Sequence, residues 1–258
     1  MPTIEYVEKA WESYKKNFWQ FAIALILQMF IVSIPFLIGV LPWIVILFST
    51  GTKTGIASLL LSNLGVLSFS VVMFLVGISI STVLGGGLAR MAYESLRGKT
   101  NYETMFKTAK EKFWTILGAN SIVLLTLSII VAVMLVPIMA LSNFSALSTQ
   151  ASFSYIFVIF SIVALGTMIL VIVSILFVFV NQAIVIDRLK ALEAVKKSFE
   201  TAEKNFWSIF FLFFIFFLIN SGLENVLSVA GSLIVLFVTA PLALISYTAL
   251  YIDRRKKH

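Results

Sequence analysis

Few residues of this chain have side chains and spacing suited to chemistry. Two carboxylates recur, since Glu94 and Asp187 each precede a tryptophan of a Phe-Trp pair by 20 residues. Such a carboxylate could act as a general acid or base on a lipid if Ser and Asn side chains converged on it. The simpler interpretation is that each caps a helix or pairs with Arg90, Arg97 or Arg188. A lipid enzyme is therefore the third-ranked hypothesis, and we assign no catalytic residue.

The composition argues against several other kinds of site. The chain has no Cys, and its one His is the last residue, His258. Thiolates and imidazoles are common nucleophiles and metal ligands, so we predict no metal site and no cofactor. A phosphate-binding P-loop is not expected either, because the glycines at 85–87 are followed by Leu88-Ala89-Arg90 rather than by Lys and Ser or Thr. We predict that the protein is not an enzyme and binds no nucleic acid.

The hydropathy of the chain indicates an integral membrane protein. Hydrophobic residues make up 60% of it and charged residues 12%, and its mean hydropathy is +1.04. A soluble core cannot bury that much apolar surface. Since one crossing needs about 20 apolar residues, the uncharged runs predict an all-α protein. Its six transmembrane helices are expected at about 18–41, 63–85, 113–136, 157–182, 206–223 and 228–251.

A repeated dipeptide divides the chain into three units. Phe18-Trp19, Phe113-Trp114 and Phe206-Trp207 are separated by 95 and 93 residues, and each ends a charged stretch. The matching residues upstream are spaced 4, 3 and 4 apart, which places each set on one helix face. The sets are Val7, Trp11, Tyr14 and Phe18 in the first unit, Tyr102, Phe106, Ala109 and Phe113 in the second, and Val195, Phe199, Ala202 and Phe206 in the third. We predict one membrane domain, 1–258, of three pseudo-repeated hairpins with units of about 1–90, 91–188 and 189–258. Each hairpin would follow a cytoplasmic amphipathic helix, anchored at the membrane interface by Trp19, Trp114 or Trp207.

The placement of basic residues predicts the orientation. Of the 19 Lys and Arg residues, all except Lys53 fall on one side of the predicted membrane. By the positive-inside rule that side is cytoplasmic, so we predict a multi-pass protein of the cell membrane with both termini inside and no cleavable signal peptide. A run of basic residues near the C-terminus consists of Arg254, Arg255, Lys256 and Lys257. It could contact anionic lipid headgroups, or its positive charge could simply keep the C-terminus on the cytoplasmic side.

Proline and glycine positions predict interruptions of the helices. Pro42 and Pro137 each lie 23 residues after the tryptophan of their unit, so we expect them to end or kink a helix. The residues that follow, 43–63 and 138–155, would be short helices or loops on the outer surface. Asn143 opens a glycosylation sequon there. The glycines at 85–87 are expected to form a flexible break at the cytoplasmic end of the second span.

Four polar residues could line a path through the membrane: Asn120, Asn181, Gln182 and Glu224. Amide side chains also join neighbouring membrane helices, and this is the alternative interpretation of the first three. Glu224 would then lie in an outer turn.

A segment in the third unit carries a resemblance to known proteins. Ala194-Val195-Lys196-Lys197-Ser198-Phe199, followed by Asn205-Phe206-Trp207, resembles a segment of multi-pass families related to the membrane domain attached to some glycerophosphoryl diester phosphodiesterases. Uncharacterised archaeal and bacterial families of unknown function look similar. The resemblance implies a membrane module without catalytic residues of its own. It does not carry over phosphodiesterase activity, because the soluble metal-binding barrel is not in this sequence.

These observations favour a non-catalytic membrane module that organises lipid or a partner protein and could form a homo-oligomer. The amphipathic helices would brace the bundle, dock a soluble partner or sense lipid composition. The alternative is a transporter or channel for a small or amphipathic solute. Internal repeats favour that alternative, whereas parallel repeats and uncharged spans speak against it.

Overall fold

The computed structural model describes residues 3–50, 63–145 and 153–255, and every regular element in these ranges is helical. The helices are α1 Thr3–Thr50, α2 Leu64–Ser95, α3 Glu103–Glu111, α4 Phe113–Ser145, α5 Phe153–Leu176, α6 Val180–Ile186, α7 Ala191–Lys204, α8 Phe206–Leu227, α9 Val229–Ile234 and α10 Ala240–Arg255. A π-helical turn, Val235–Thr239, joins α9 to α10. Helices suit so apolar a chain because each satisfies its backbone hydrogen bonds without water.

Six stretches of the described residues are long and apolar enough to cross a membrane. They are Thr3–Ile46, Leu64–Ser95, Phe113–Pro137, Phe157–Ile186, Phe206–Leu227 and Val229–Arg255. Each overlaps one of the six predicted spans. The predicted number of membrane-length helices is therefore confirmed for the part of the chain that the structure describes.

The prolines do not end the first and fourth helices. Pro42 lies inside α1 and Pro137 inside α4, and both helices continue beyond them. The expectation of a helix end was wrong, and the alternative, a kink, stays a prediction. A membrane helix tolerates the loss of one backbone hydrogen bond where neighbouring groups compensate for it. Trp43, one residue after Pro42, donates its Nε1 proton to Ser70 Oγ of α2 at 2.7 Å. The outer residues 51–62 and 146–152, which include Lys53, lie outside the described ranges.

The three consecutive glycines do not break α2, which continues through them to Ser95. A Cβ built on Gly87 would lie 2.3 Å from the Met105 carbonyl oxygen of α3. A Cβ on Gly86 would lie 2.6 Å from Ile116 Cδ1 of α4, whereas nothing lies within 4 Å of a Cβ on Gly85. Two of the glycines therefore let neighbouring helices approach α2 closely, and the expected flexible break is wrong.

One end of the bundle, which we call the charged face, carries α3, α7, the first turns of α1 and the end of α10. The two chain ends meet there, since Tyr6 Oη donates to Asp253 Oδ2 at 2.7 Å. The largest fully buried side chains also cluster towards this face, among them Phe21, Met105, Phe179 and Tyr251.

Buried side chains are fewer along the rest of the membrane-length helices. Along α4, none of the side chains described between residues 120 and 137 is buried. The fold thus packs the charged face closely and leaves long apolar surfaces beyond it.

Candidate functional site on the charged face

The charged helices turn small side chains towards the core. Ser13, Thr108 and Thr201 are 6%, 8% and 2% exposed, and they are separated by the same 95 and 93 residues as the Phe-Trp pairs. Three positions earlier, Ala10, Met105 and Ser198 are all fully buried. Small residues at such positions let helices pack closely. Sequence reasoning missed Ser13, Thr108 and Thr201 because it searched for apolar residues, although the repeat spacing could have revealed them.

The predicted apolar face overlaps this buried face in part. Tyr14, Ala109 and Ala202 are buried as the spacing indicates, whereas Trp11 and Phe199 are 44% and 42% exposed. The buried face of these helices is therefore rotated about the helix axis relative to the predicted face, towards Ser13, Thr108 and Thr201.

Side chains of the charged helices also bind the loops beside them. Ser198 Oγ donates to the Leu176 carbonyl at 2.9 Å and accepts from the Phe179 N–H at 3.1 Å, which fastens α7 to the turn between α5 and α6. Asn17 Oδ1 of α1 accepts from the Thr100 N–H at 3.0 Å, in the loop that leads into α3. These bonds satisfy backbone groups that the helix ends leave free.

The two repeated carboxylates are already occupied by protein groups. Glu94 accepts from Arg90 Nε and from Thr104 Oγ1, both at 3.0 Å, and so joins α2 to α3. Asp187 accepts from Tyr251 Oη and from the Arg255 guanidinium, which joins the end of α6 to α10. Glu94 pairs with Arg90 as predicted, but the partner of Asp187 is Arg255 rather than Arg188. No group of His, Asp and Glu that could hold a metal ion occurs among the described residues.

The terminal cations lie partly within the fold. Arg254 and Arg255 have side chains that are 23% and 19% exposed, and Arg254 Nε lies 3.8 Å from Asp253 Oδ2. Lys256 and Lys257 lie outside the described residues. Contact of this run with lipid headgroups stays a prediction.

The three tryptophans occupy similar environments. Trp19, Trp114 and Trp207 are 74%, 79% and 69% exposed. Each meets the preceding phenylalanine edge to face, at centroid distances of 5.3, 5.1 and 5.7 Å. An exposed indole where a charged stretch gives way to an apolar run suits the membrane interface. Their role as anchors stays a prediction.

The polar residues predicted to line a path fall into separate places. Asn120 Nδ2 donates to Asn181 Oδ1 and to the Ile116 carbonyl, both at 2.9 Å, so these two amides join α4 to α6. Gln182 is 2% exposed, and its Oε1 has no hydrogen-bond partner among the described residues. Glu224 is exposed 18 residues along α8, about 27 Å from the start of that helix on the charged face. It lies far from the amides.

A groove of about 210 Å³ separates α2 from α4 next to the amide pair. Leu75, Ser79 and Thr82 line it from α2, and residues between Leu117 and Leu127 line it from α4. Ser79 Oγ donates to the Leu75 carbonyl at 2.8 Å. Thr82, Asn120 and Ser121 add polar atoms to the lining, but most of the groove surface is apolar.

Comparison with known proteins places the chain in a family. No curated protein and no solved structure matches it. A relationship to the membrane domain of glycerophosphoryl diester phosphodiesterases therefore stays a prediction. A family described as a domain of unknown function, DUF7847, matches residues 31–252, which is most of the chain. The protein belongs to the DUF7847 family.

Proposed function

We propose that this protein is a non-catalytic membrane module that organises lipid between three hairpins fastened together at the cytoplasmic face. One observation carries the proposal: buried packing is concentrated at the charged face, while buried side chains are few beyond it and α4 has none between residues 120 and 137. On α1 the large buried side chains Tyr6, Tyr14, Phe21 and Leu25 all precede residue 26.

Three similar units arranged in a ring account for the contacts at this face. Helix α3 packs on α2, α7 packs on α6, and the start of α1 packs on α10. In this scheme each amphipathic helix docks on the last span of another unit, and α1 closes the ring by docking on the end of the chain. The shared burial of Ser13, Thr108 and Thr201 supports the repeat.

The orientation follows from charge. With the spans at their predicted positions, 18 of the 19 basic residues lie on the side of the membrane that carries the charged face. We therefore place this face and both termini in the cytoplasm. The protein is then a multi-pass protein of the cell membrane.

Lipid is the proposed occupant of the space beyond the charged face. Leu125, Val133 and Val136 of α4 are 63%, 66% and 66% exposed, and Leu165 and Met168 of α5 are 63% and 60% exposed. Apolar side chains exposed within a bilayer are solvated by acyl chains as well as by protein. The same surfaces would accept a second copy of the chain or a membrane partner.

A single labelled thiol tests what fills the groove between α2 and α4. Because the chain has no Cys, Leu124→Cys gives one attachment site for a bimane fluorophore, on a groove residue that is 50% exposed. We expect strong quenching by lipids brominated on their acyl chains and weak quenching by aqueous iodide. The matched control is Lys110→Cys on the charged face, where iodide should quench strongly.

Quenching of the groove label by iodide, with little effect of brominated lipid, would contradict the proposal. It would favour the transporter or channel alternative, which is supported by the presence of the polar residues Asn120 and Ser121 in the groove lining.

A further inference from the structure

A polar cavity of about 450 Å³ opens on the charged face between α2, α3 and the residues after α6. Its lining combines four cationic side chains, two carboxylates and two hydroxyls, which are Arg90, Lys107, Lys112 and Arg188, Glu94 and Glu111, and Thr104 and Thr108. This cavity is separate from the apolar groove between α2 and α4. The contact of Gly86 of α2 with Ile116 of α4 lies between the two.

The charges of this cavity are unbalanced. Glu94 is bound to Arg90, and the Arg90 guanidinium also donates to the Val185 carbonyl at 3.1 Å. That ion pair is fixed and contributes no net charge. Lys107, Lys112 and Arg188 remain, with Glu111 as the other acid, and none of these three cations forms an ion pair within the described ranges. A concave site with excess positive charge attracts anions.

Arg188 provides an independent observation. Its φ is +58°, in the left-handed region, and it is the second residue after α6, following the C-cap residue Asp187. Helices often end on a residue in this conformation, and that residue is usually glycine because a Cβ is disfavoured there. Here the position instead carries a guanidinium that lines the cavity. Strained residues of this kind are concentrated at functional sites.

We propose that this cavity binds a phosphate-type oxyanion, carried as a phosphomonoester either by a soluble molecule or by an anionic lipid headgroup. Arg188 offers the planar donor fork that suits phosphate, and Lys107 and Lys112 add mobile ammonium groups. The Thr108 hydroxyl can supply a neutral donor. The lipid source rests on the proposed function, whereas the soluble source does not.

The test uses the full chain in nanodiscs of phosphatidylcholine. Calorimetric titration with glycerol 3-phosphate at constant ionic strength measures soluble binding. Native mass spectrometry of nanodiscs doped with phosphatidic acid measures lipid binding. The cavity variants are Lys107→Gln and Arg188→Gln, and the matched control is Lys110→Gln, which removes the same charge from an exposed position of α3 outside the cavity.

We expect each cavity variant to weaken binding by about tenfold, because each removes a charge-assisted hydrogen bond, and the control to change it little. Binding of glycerol 3-phosphate would support a soluble source, and retention of phosphatidic acid alone would support a lipid source. Failure of both to bind, or an equal loss in Lys110→Gln, would overturn the proposal. Quenching at Leu124→Cys reports on the groove, so the two proposals can fail separately.

Discussion

Two glycines of α2 are expected to respond to the same substitution with opposite signs. In Gly87→Ala the new Cβ would lie 2.3 Å from the Met105 carbonyl oxygen and 2.9 Å from its carbonyl carbon. Both atoms are backbone, so α3 must move. Such overpacking costs about 1–3 kcal/mol, and the better helix propensity of alanine offsets about 0.5–1 kcal/mol. Gly85→Ala meets no atom within 4 Å and should gain that propensity alone.

The helix propensity is gained by both variants and cancels, so they should differ in unfolding free energy by the overpacking term, about 1–3 kcal/mol. For a chain of this size that corresponds to about 2–12 °C in unfolding temperature. Thermal unfolding of the parent and both variants, in one detergent and followed by tryptophan fluorescence, measures the difference. Gly86→Ala should fall between them, because its contact is the flexible end of Ile116.

Adding Ile116→Val to Gly86→Ala removes the Cδ1 atom that a Cβ would meet at 2.6 Å, and this should recover part of any loss. If Gly85→Ala lowers the unfolding temperature as much as Gly87→Ala does, the glycines act as a flexible break. The packing explanation would then be refuted.

Three further substitutions test other contacts by the same unfolding measurement. Ser70→Ala removes the hydroxyl that accepts from Trp43 Nε1 at 2.7 Å, and it should lower the unfolding free energy by about 1–2 kcal/mol. An unchanged unfolding free energy would mean that this hydrogen bond does not join the two helices of the first hairpin. Asp187→Asn leaves the Arg255 guanidinium without its anionic partner and should cost about 1–3 kcal/mol. Adding Arg255→Gln should then recover part of the loss, and an additive loss would contradict the pairing. Arg188→Gly should raise the unfolding free energy by about 1 kcal/mol, because glycine adopts a φ of +58° freely. A lower stability would show that Arg188 is there to support the fold.

The positions of the membrane-length helices could be predicted because hydropathy is a local property. An uncharged run of sufficient length specifies a span whatever its neighbours are. The charged stretches were also informative, since the spacing of Tyr14, Ala109 and Ala202 identified residues that are buried.

Contacts between helices could not be predicted in the same way. Glycine and proline carry local propensities that favour breaks, yet α2 continues through Gly86 and Gly87 and α1 continues through Pro42. At Gly86 and Gly87 the reason is the close approach of α4 and α3, which the local sequence does not show. A residue's own propensity does not show whether it faces open space, as Gly85 does, or a carbonyl group, as Gly87 does.

The candidate site was missed for a related reason. Arg90 lies in α2, Lys107 in α3, Lys112 between α3 and α4, and Arg188 between α6 and α7, so their convergence depends on how α3 docks against α2. Single-sequence reasoning identified the acid Glu94 and its partner Arg90. It had no means to show that Lys107, Lys112 and Arg188 form no ion pair with the residues that the structure describes.

The position of the cavity makes it independent of the closing contact between the chain ends. All of its lining residues come from positions 90–188, whereas the chain ends meet through Tyr6 and Asp253. Opening the contact between α1 and α10 would therefore leave every lining residue on the helix or connection that carries it. The close approach at Gly87 does define the cavity, because it fixes α3, and with it Lys107, against α2. Anion binding should consequently depend on the packing of α3 and not on the contact between the chain ends.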